Sequence, residues 1–341
     1  MRVLLIKTSS MGDLIHTLPA LTDAAAAIPG IQFDWMVEPS FAEIPTWHPA
    51  VSRVIPVALR RWRKEWLSKK TRTEWRALRK ELSDTNYDLI LDAQGLLKSA
   101  VLGFLAKGPR AGLDFKSARE SFASFAYQQK HTVNFYQHAI ARMRLLFSLA
   151  LHYPLPTSAP DFGIDQSTFL QTENSAPYLV FLHGTTWASK QWPESYWKQL
   201  AGMTANAGYR IKISGGNDEE LARASRIAEG NSAVDVMPRL SISAMASLLS
   251  HAKAAIAVDT GFGHLAAAMN LPTVSIYGPT NPEYTGAIGE KSIHLTPVFP
   301  CAPCLNRVCT YKKPSEVTPA CYTKIPPARV WGALKTLINH P

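Results

Sequence analysis

The chain has 341 residues, 46% hydrophobic and 18% charged, with 36 Lys and Arg against 26 Asp and Glu for a net charge of +10. At roughly 100–200 residues per domain this length predicts two domains, each burying its own core, and the apolar fraction excludes wholesale disorder. No run approaches the roughly 18–20 apolar residues that span a bilayer, and the apolar residues 3–6 before Lys7 are too few for a signal-peptide core, so the chain is expected to stay where it is made.

Residues 2–8, Arg-Val-Leu-Leu-Ile-Lys-Thr, read as a buried parallel strand. The loop Ser9-Ser-Met-Gly-Asp13 follows, then a helix over residues 14–28 closed by Pro29-Gly30. Strands are predicted over 33–37, 51–57 and 87–92, and a helix over 71–83. Pro154, Pro156 and Pro160 lie among serines and threonines and announce an interdomain linker at 161–176, which places the first domain at 1–160. The alternation then restarts. Strands are predicted over 178–183, 209–214, 234–237, 254–259 and 273–277. Helices are predicted over 193–207, 218–229, 242–251 and 264–269. These fill a second domain at 177–325. A terminal helix over 327–338, in the segment 326–341, is expected to pack back on the first domain. This alternation predicts two doubly wound α/β domains facing each other across a cleft, with ligands at the carboxyl ends of the strands.

Four strand-end loops carry candidate chemistry. In the first, Asp13 at a helix start reads either as a cap or as a base facing the cleft, and Gly12 suits a tight turn. Thr8, Ser9 and Ser10 offer donors to an anion there. In the second, Thr185, Thr186 and Lys190 lie between a strand end and a helix, either as a phosphate site or as an ordinary capped turn. The third, Ser214-Gly-Gly-Asn-Asp-Glu-Glu220, combines two glycines with acids. One of these acids would accept ribose hydroxyls, or all of them would serve the helix dipole. In the fourth, Asp259-Thr-Gly261 and His264 open a small-residue helix whose backbone N–H groups suit a diphosphate.

The positive charge is concentrated. Residues 53–80 hold eleven Lys and Arg, among them Arg60, Arg61, Arg63 and Lys64, against only Glu65 and Glu74. Trp62, Trp66 and Trp75 are interleaved. This mixture suits a phosphate-bearing lipid–water boundary or stacked bases, or else a solvated helix with its tryptophans in the core. Cys301, Cys304, Cys309 and Cys321 are spaced C-x2-C-x4-C-x11-C, which allows a zinc ion, an iron–sulfur cluster or four reduced thiols.

Several motifs together resemble the ADP-heptose:lipopolysaccharide heptosyltransferases, glycosyltransferase family 9. They are Gly12-Asp13 with Thr17-Leu-Pro19, Asp259-Thr-Gly261 with His264-Leu-Ala-Ala, Pro272-Thr-Val, and Tyr277-Gly-Pro-Thr280. The resemblance covers essentially the whole chain. Residues 7–23 and Arg60-Arg-Trp-Arg-Lys64 are most similar to the members that add the first heptose to the Kdo residue of lipid A. The members that add the second heptose are the near alternative, and a non-catalytic nucleotide-sugar binder is an alternative of another class.

The resemblance implies a GT-B fold and inverting transfer, with no required metal or cofactor and ADP-heptose as donor. It implies Asp13 as base, and Lys190 with the helix start at Thr260-Gly261 stabilising the departing ADP. Thr185, Thr186 and His264 would assist, Glu220 would hold the nucleoside and Asp259 the heptose. Ser10, Gly12, Arg60, Arg61, Arg63, Lys64, Lys98 and Arg119 would hold the acceptor, Kdo2-lipid A. No nucleic-acid partner is expected. The implied location is peripheral, on the anionic cytoplasmic face of the inner membrane, in lipopolysaccharide inner-core biosynthesis.

Overall fold

The computed structural model describes residues 1–169 and 177–339. The part of the predicted linker at 170–176, and residues 340 and 341 of the terminal segment, lie outside them. The chain divides into two compact units, Met1 to Asp165 and Gln166 onward.

Among the described residues each unit holds one six-stranded sheet. In the first, β1 (Arg2–Ile6), β2 (Gln32–Val37), β3 (Val51–Pro56), β4 (Leu89–Asp92), β5 (Arg110–Leu113) and β6 (Gln129–His131) are arranged in the order β3-β2-β1-β4-β5-β6. In the second, β7 (Tyr178–Leu182), β8 (Arg210–Ile213), β9 (Val234–Val236), β10 (Ala254–Val258), β11 (Thr273–Ile276) and β12 (Ser292–Leu295) take the order β12-β11-β10-β7-β8-β9. Every pairing is parallel. Parallel sheets need helical crossovers on their faces, which is why the central strands are apolar along their whole length. Val3, Leu4, Leu5 and Ile6 of β1 are fully buried, as is the whole of β10. In both sheets the order reverses beside a central strand, β1 in one and β10–β7 in the other. This is where a doubly wound sheet opens a crevice.

Three differences from the sequence reading have clear causes. The helix predicted over 14–28 is two helices, Met11–Ile15 and Leu18–Ala27, because Pro19 in the first turn of the second has no N–H to continue the ladder. β5, β6 and β12 and the helix Ala139–Leu151 were not predicted. β6 is only Gln-Lys-His, and its strand character comes from the ladder with β5 rather than from any alternation. The helix Ala139–Leu151 is fixed by tertiary contact with Leu18–Ala27, where Arg144 Nε and Nη2 clamp the carboxylate of Asp23 at 2.6 and 3.0 Å.

The terminal helix, Pro327–Asn339, packs on the second unit's own helix Glu194–Asn206 and on β10, β11 and β12. Val330 and Leu334, one turn apart, fill that unit's core and are fully buried, and Trp331 meets Tyr209 edge-on at 6.2 Å. No helix among the described residues is long and apolar enough to cross a membrane.

Candidate active site

The end of β1 leads directly into Asp13. The Asp13 carboxylate accepts hydrogen bonds from the backbone N–H of Ser10 (2.9 Å) and from its hydroxyl (2.8 Å). Both bonds tie Asp13 back to the N-cap residue Ser10 at the start of the short helix Met11–Ile15. They fix the carboxylate at the carboxyl end of the sheet. Gly12 lies inside that helix and not in the turn before it, so the tight-turn reading of Gly12 is corrected.

Around Asp13 the fold gathers cations that the sequence did not single out. The Lys7 ammonium is buried and donates to the carbonyl of Ala93 at 2.9 Å. Its burial lowers its pKa, against the opposing attraction of Asp13. Burial also lowers the pKa of Arg142, again opposed by Asp13, and the Arg119 charge acts on both groups. The expected Arg119 thus belongs to the neighbourhood of Asp13. Gln94 Oε1 holds the loop from the β4 side by accepting from the N–H groups of Thr8 (3.0 Å) and Ser9 (3.3 Å). Asp92 is buried, and burial raises its pKa. It accepts from the Tyr127 hydroxyl (2.7 Å) and the Ser99 hydroxyl (2.8 Å), and this locks β4 to the following helix.

The basic, Trp-bearing segment folds into two helices, Leu59–Lys64 and Lys69–Ser83. They border a pocket of about 830 Å³ lined by Arg60, Arg63, Lys64, Arg72, Arg76 and Lys98 together with apolar groups. Of the tryptophans lining it, Trp62 is buried edge-on against Trp75 at 5.7 Å, whereas Trp66 is 67% exposed. Trp62 thus takes the core position that one reading of the segment gave the tryptophans, and Trp66 does not. Arg61 corrects the expected acceptor set. Its guanidinium pairs with Glu74, which also accepts from Trp62 Nε1 at 2.7 Å, and it lines a different depression on the other side of the helix. Arg60, by contrast, lines the larger pocket. Arg53 is likewise tied to Asp34 (2.8 Å) and Glu81 (3.0 Å).

In the second unit, Asp259 at the end of β10 organises the strand-end loops. Lys190 Nζ lies 2.7 Å from its Oδ2, which also accepts from the Thr280 hydroxyl at 2.7 Å. His264 Nε2 stands 3.8 Å from Oδ1. The Thr185 hydroxyl donates to the Asp259 carbonyl at 3.1 Å. Burial of Asp259 favours the protonated acid, but the bond from His264 and the charge of Lys190 outweigh it and hold the carboxyl well below the usual carboxylate range. The ammonium of Lys190 also lies over the Trp187 ring at 4.5 Å, and the Arg307 guanidinium lies 5.5 Å from the same ring.

The helix Gly261–Ala268 begins beside this cluster with Thr260 as its N-cap, and no side chain caps it. Its first N–H groups have no partner within the helix. A Cβ on Gly263 would stand 2.9 Å from the Ala257 Cβ, so this glycine permits the close seating of helix on strand. Glu220 lies against Gly184, the neighbour of Thr185. Its Oε2 accepts from the Gly216 N–H at 2.7 Å, and its carboxylate occupies the space a Cβ on Gly184 would need. Thr186 is exposed. The structure therefore brings Thr185, Lys190, Asp259 and His264 into one cluster, with Thr260 and Gly261 at its edge. It adds Thr280, Trp187 and Arg307, which sequence reasoning left out of the site. Thr280 stood in the quoted Tyr277-Gly-Pro-Thr280 motif, which was the available signal for it.

The cysteine loop packs beneath the site. Cys301, Cys304, Cys309 and Cys321 are free thiols bordering one void of about 20 Å³ with Ser189, Gly278 and Tyr311. Burial, aided by the three neighbouring cysteines, pushes the Cys321 thiol up to about 12. Among the described residues no group of three or more His, Cys, Asp or Glu side chains is placed to hold a metal ion. The loop supports its neighbours through the backbone. The Ser189 N–H donates to the Arg307 carbonyl (3.1 Å), and the Leu305 N–H donates to the Pro279 carbonyl (2.8 Å). These contacts fix the residues adjoining Lys190 and Thr280.

Residues 75–314 match the description Glycosyltransferase family 9 (heptosyltransferase). The chain is 52% identical to lipopolysaccharide heptosyltransferase 1 of Pseudomonas aeruginosa, over 100% of this chain and 99% of that protein. It is 50% identical to lipopolysaccharide heptosyltransferase 1 of Escherichia coli strain K12, over 86% of this chain and 92% of that protein. The solved structure of E. coli heptosyltransferase WaaC with ADP-2-deoxy-2-fluoro heptose is similar with a TM-score of 0.85 and 42% identity, over 98% of this chain and 99% of that one.

Proposed function

Since this chain belongs to glycosyltransferase family 9, we propose that it moves L-glycero-D-manno-heptose from ADP-heptose to the Kdo residue of Kdo2-lipid A, in the inner core of lipopolysaccharide. One observation carries this reading: about half of all positions are identical to a heptosyltransferase 1 from end to end. The two strand-end sites supply complementary chemistry for it. Asp13 takes the proton of the acceptor hydroxyl. The hydroxyl oxygen forms the new bond at the anomeric carbon from the face opposite ADP. The bond from that carbon to the diphosphate breaks, and its electron pair leaves with ADP, so the configuration inverts.

Charge then develops on the diphosphate. Lys190, the hydroxyls of Thr185 and Thr186, His264 and the N–H groups at Gly261 are donors suited to it. Lys190 is held in readiness by Asp259 and exchanges that partner for the diphosphate. Asp259 in turn accepts hydroxyls of the heptose, and Glu220, in the Gly-rich loop, accepts those of the ribose. No group beyond these side chains is needed for the transfer. Arg60, Arg63, Lys64 and Lys98 hold the anionic groups of the acceptor. With the cations around them they favour an anionic membrane surface, the cytoplasmic face of the inner membrane.

The deciding experiment incubates the protein with ADP-heptose and Kdo2-lipid A. Release of ADP with the gain of one heptose on the acceptor is the expected result. Transfer only to an acceptor that already bears a heptose would assign the second step. Binding of ADP-heptose with no ADP released would leave a nucleotide-sugar binder.

A further inference from the structure

The first unit carries an apolar surface that the transfer reaction does not use. Phe115, Phe122 and Phe125 form a triangle with ring centroids 6.0 to 6.1 Å apart, and they are 49%, 66% and 68% exposed. Core aromatics bury nearly all of their surface, so three rings that pack on one another and are left in water form an unpartnered face. Phe122 and Phe125 project from the turn Ser121–Ala126, whose inner side is anchored by Ala123 against Ala100 and Tyr127. The outward direction of the rings is thus fixed by packing behind them.

The surroundings of the triangle are cationic. Lys130 Nζ lies over the Phe125 ring at 5.6 Å. Arg110 lies over the exposed Phe104 at 4.4 Å and donates to the Ala126 carbonyl at 2.9 Å. Residues 97–130 contain six Lys and Arg but only two acids, Asp114 and Glu120. Both acids are engaged: Asp114 accepts from Ser117 and Thr132, and Glu120 from the Leu97 N–H. The face is also continuous with the cationic pocket. The helix Leu97–Leu102 packs against the Ser121–Ala126 turn and sends Lys98 and Val101 into that pocket.

We propose that the Phe115–Phe122–Phe125 face inserts into the acyl boundary of an anionic lipid bilayer while Arg110, Lys116 and Lys130 engage lipid phosphates. Rings set in a collar of cations suit a surface that is apolar inside and negatively charged at its edge. A second copy of this chain is disfavoured, because face-to-face pairing would oppose like charges. The inference rests on the reading of a lipid-borne acceptor. It places the acceptor pocket at the depth where such an acceptor's sugars leave the membrane.

The test is flotation of the full chain with vesicles of three parts phosphatidylethanolamine to one part phosphatidylglycerol, without donor or acceptor. The parent should float, and it should not float with phosphatidylcholine vesicles. The triple variant Phe115→Ser, Phe122→Ser, Phe125→Ser should partition at least about tenfold less, given the area each ring buries. The triple Leu variant should retain binding, which separates insertion from a folding defect. Both variants should turn over a deacylated, water-soluble acceptor like the parent.

Three results would overturn the proposal. One is equal flotation of the Ser variant and the parent. Another is a parent that floats with neither vesicle. The third is a Ser variant that keeps vesicle binding but loses a dimer in sedimentation velocity or loses affinity for dispersed acylated acceptor. If the parent floats as expected yet transfers nothing to the deacylated acceptor, the function proposed above fails and the docking face stands.

Discussion

Lys190 Nζ and Asp259 Oδ2 lie 2.7 Å apart in a nearly buried pair, and the same carboxylate oxygen is bonded by Thr280. The pair joins two loops sixty-nine positions apart in sequence, one after β7 and one after β10. It holds the Lys190 cation at the carboxyl end of β10, and the proposed role requires the lysine to give up this partner for the diphosphate.

Replacing Lys190 with Ala should therefore do more than weaken donor binding. It removes the donor proposed for the leaving diphosphate and leaves Asp259 buried with less compensation. The expected loss is about 10²- to 10³-fold in kcat. Asp259→Asn should leave the Lys190 charge in place and cost donor affinity more than kcat. Steady-state kinetics with ADP-heptose, with circular dichroism as the folding control, measure both. Unchanged turnover in Lys190→Ala removes this lysine from the leaving-group side.

At the acceptor site the substitution to make is Asp13→Asn. It keeps an acceptor for the Ser10 N–H and hydroxyl, so the cap on Met11–Ile15 survives, but it cannot take a proton. Turnover should fall about 10²- to 10⁴-fold while ADP-heptose affinity in calorimetry stays within about twofold. Near-normal turnover would mean that the cap is the whole role of Asp13.

The neighbours Arg60 and Arg61 should behave differently despite equal charge. Arg60→Glu with Arg63→Glu should raise KM for the phosphorylated acceptor about tenfold or more and reduce its salt sensitivity, with ADP-heptose affinity spared. Arg61→Ala should barely change acceptor KM. Its effect should appear in the thermal midpoint, because Glu74 and Glu65 lose a partner. Equal acceptor defects for the two sites would contradict the observed separation.

Acid should destabilise the fold before the carboxylates titrate. His48 is buried, accepts from the Ala50 N–H at Nδ1 (3.1 Å) and meets the Thr22 hydroxyl at Nε2 (2.9 Å). Protonation would set an N–H against the N–H of Ala50. Burial lowers its pKa from 6.5 to about 4, and burial does the same for His183. Below pH 6.5 the unfolded chain binds protons that the folded chain refuses. Stability is thus full above 6.5 and falls as the pH drops toward about 4, by up to about 3 kcal/mol for each histidine. Urea unfolding at pH 7.5, 5.5 and 4.5 should show the decline. His48→Gln should flatten it, and an unchanged slope in that variant would exclude His48 as a source.

Much of this protein was legible in its sequence because the signals are local. β1 and β10 are continuous apolar runs, which only burial on both faces explains. The loops holding Asp13, Lys190, Glu220 and Asp259 follow predicted strands directly, so the strand-end rule located them without tertiary information. The concentration of charge in 53–80 is likewise a property of the chain alone. What the sequence could not supply was direction and partnership. Arg60 and Arg61 are equivalent in composition, yet the helical rotation between them sends one to the pocket and the other to Glu74. Lys7 stood only as the first residue of the quoted run 7–23 and Arg142 in no motif, and only the burial of both near Asp13 gives their charges meaning. Val330 and Leu334 predict an apolar stripe without naming its partner, and the stripe found the second unit's own sheet. No local pattern singles out the three phenylalanines of 115–125, and the packing of Ala123 behind Phe122 and Phe125 leaves the rings outside. A linear pattern fixes which residues can be buried or charged. Only the folded chain sets which groups meet, because that depends on contacts between residues tens to hundreds of positions apart.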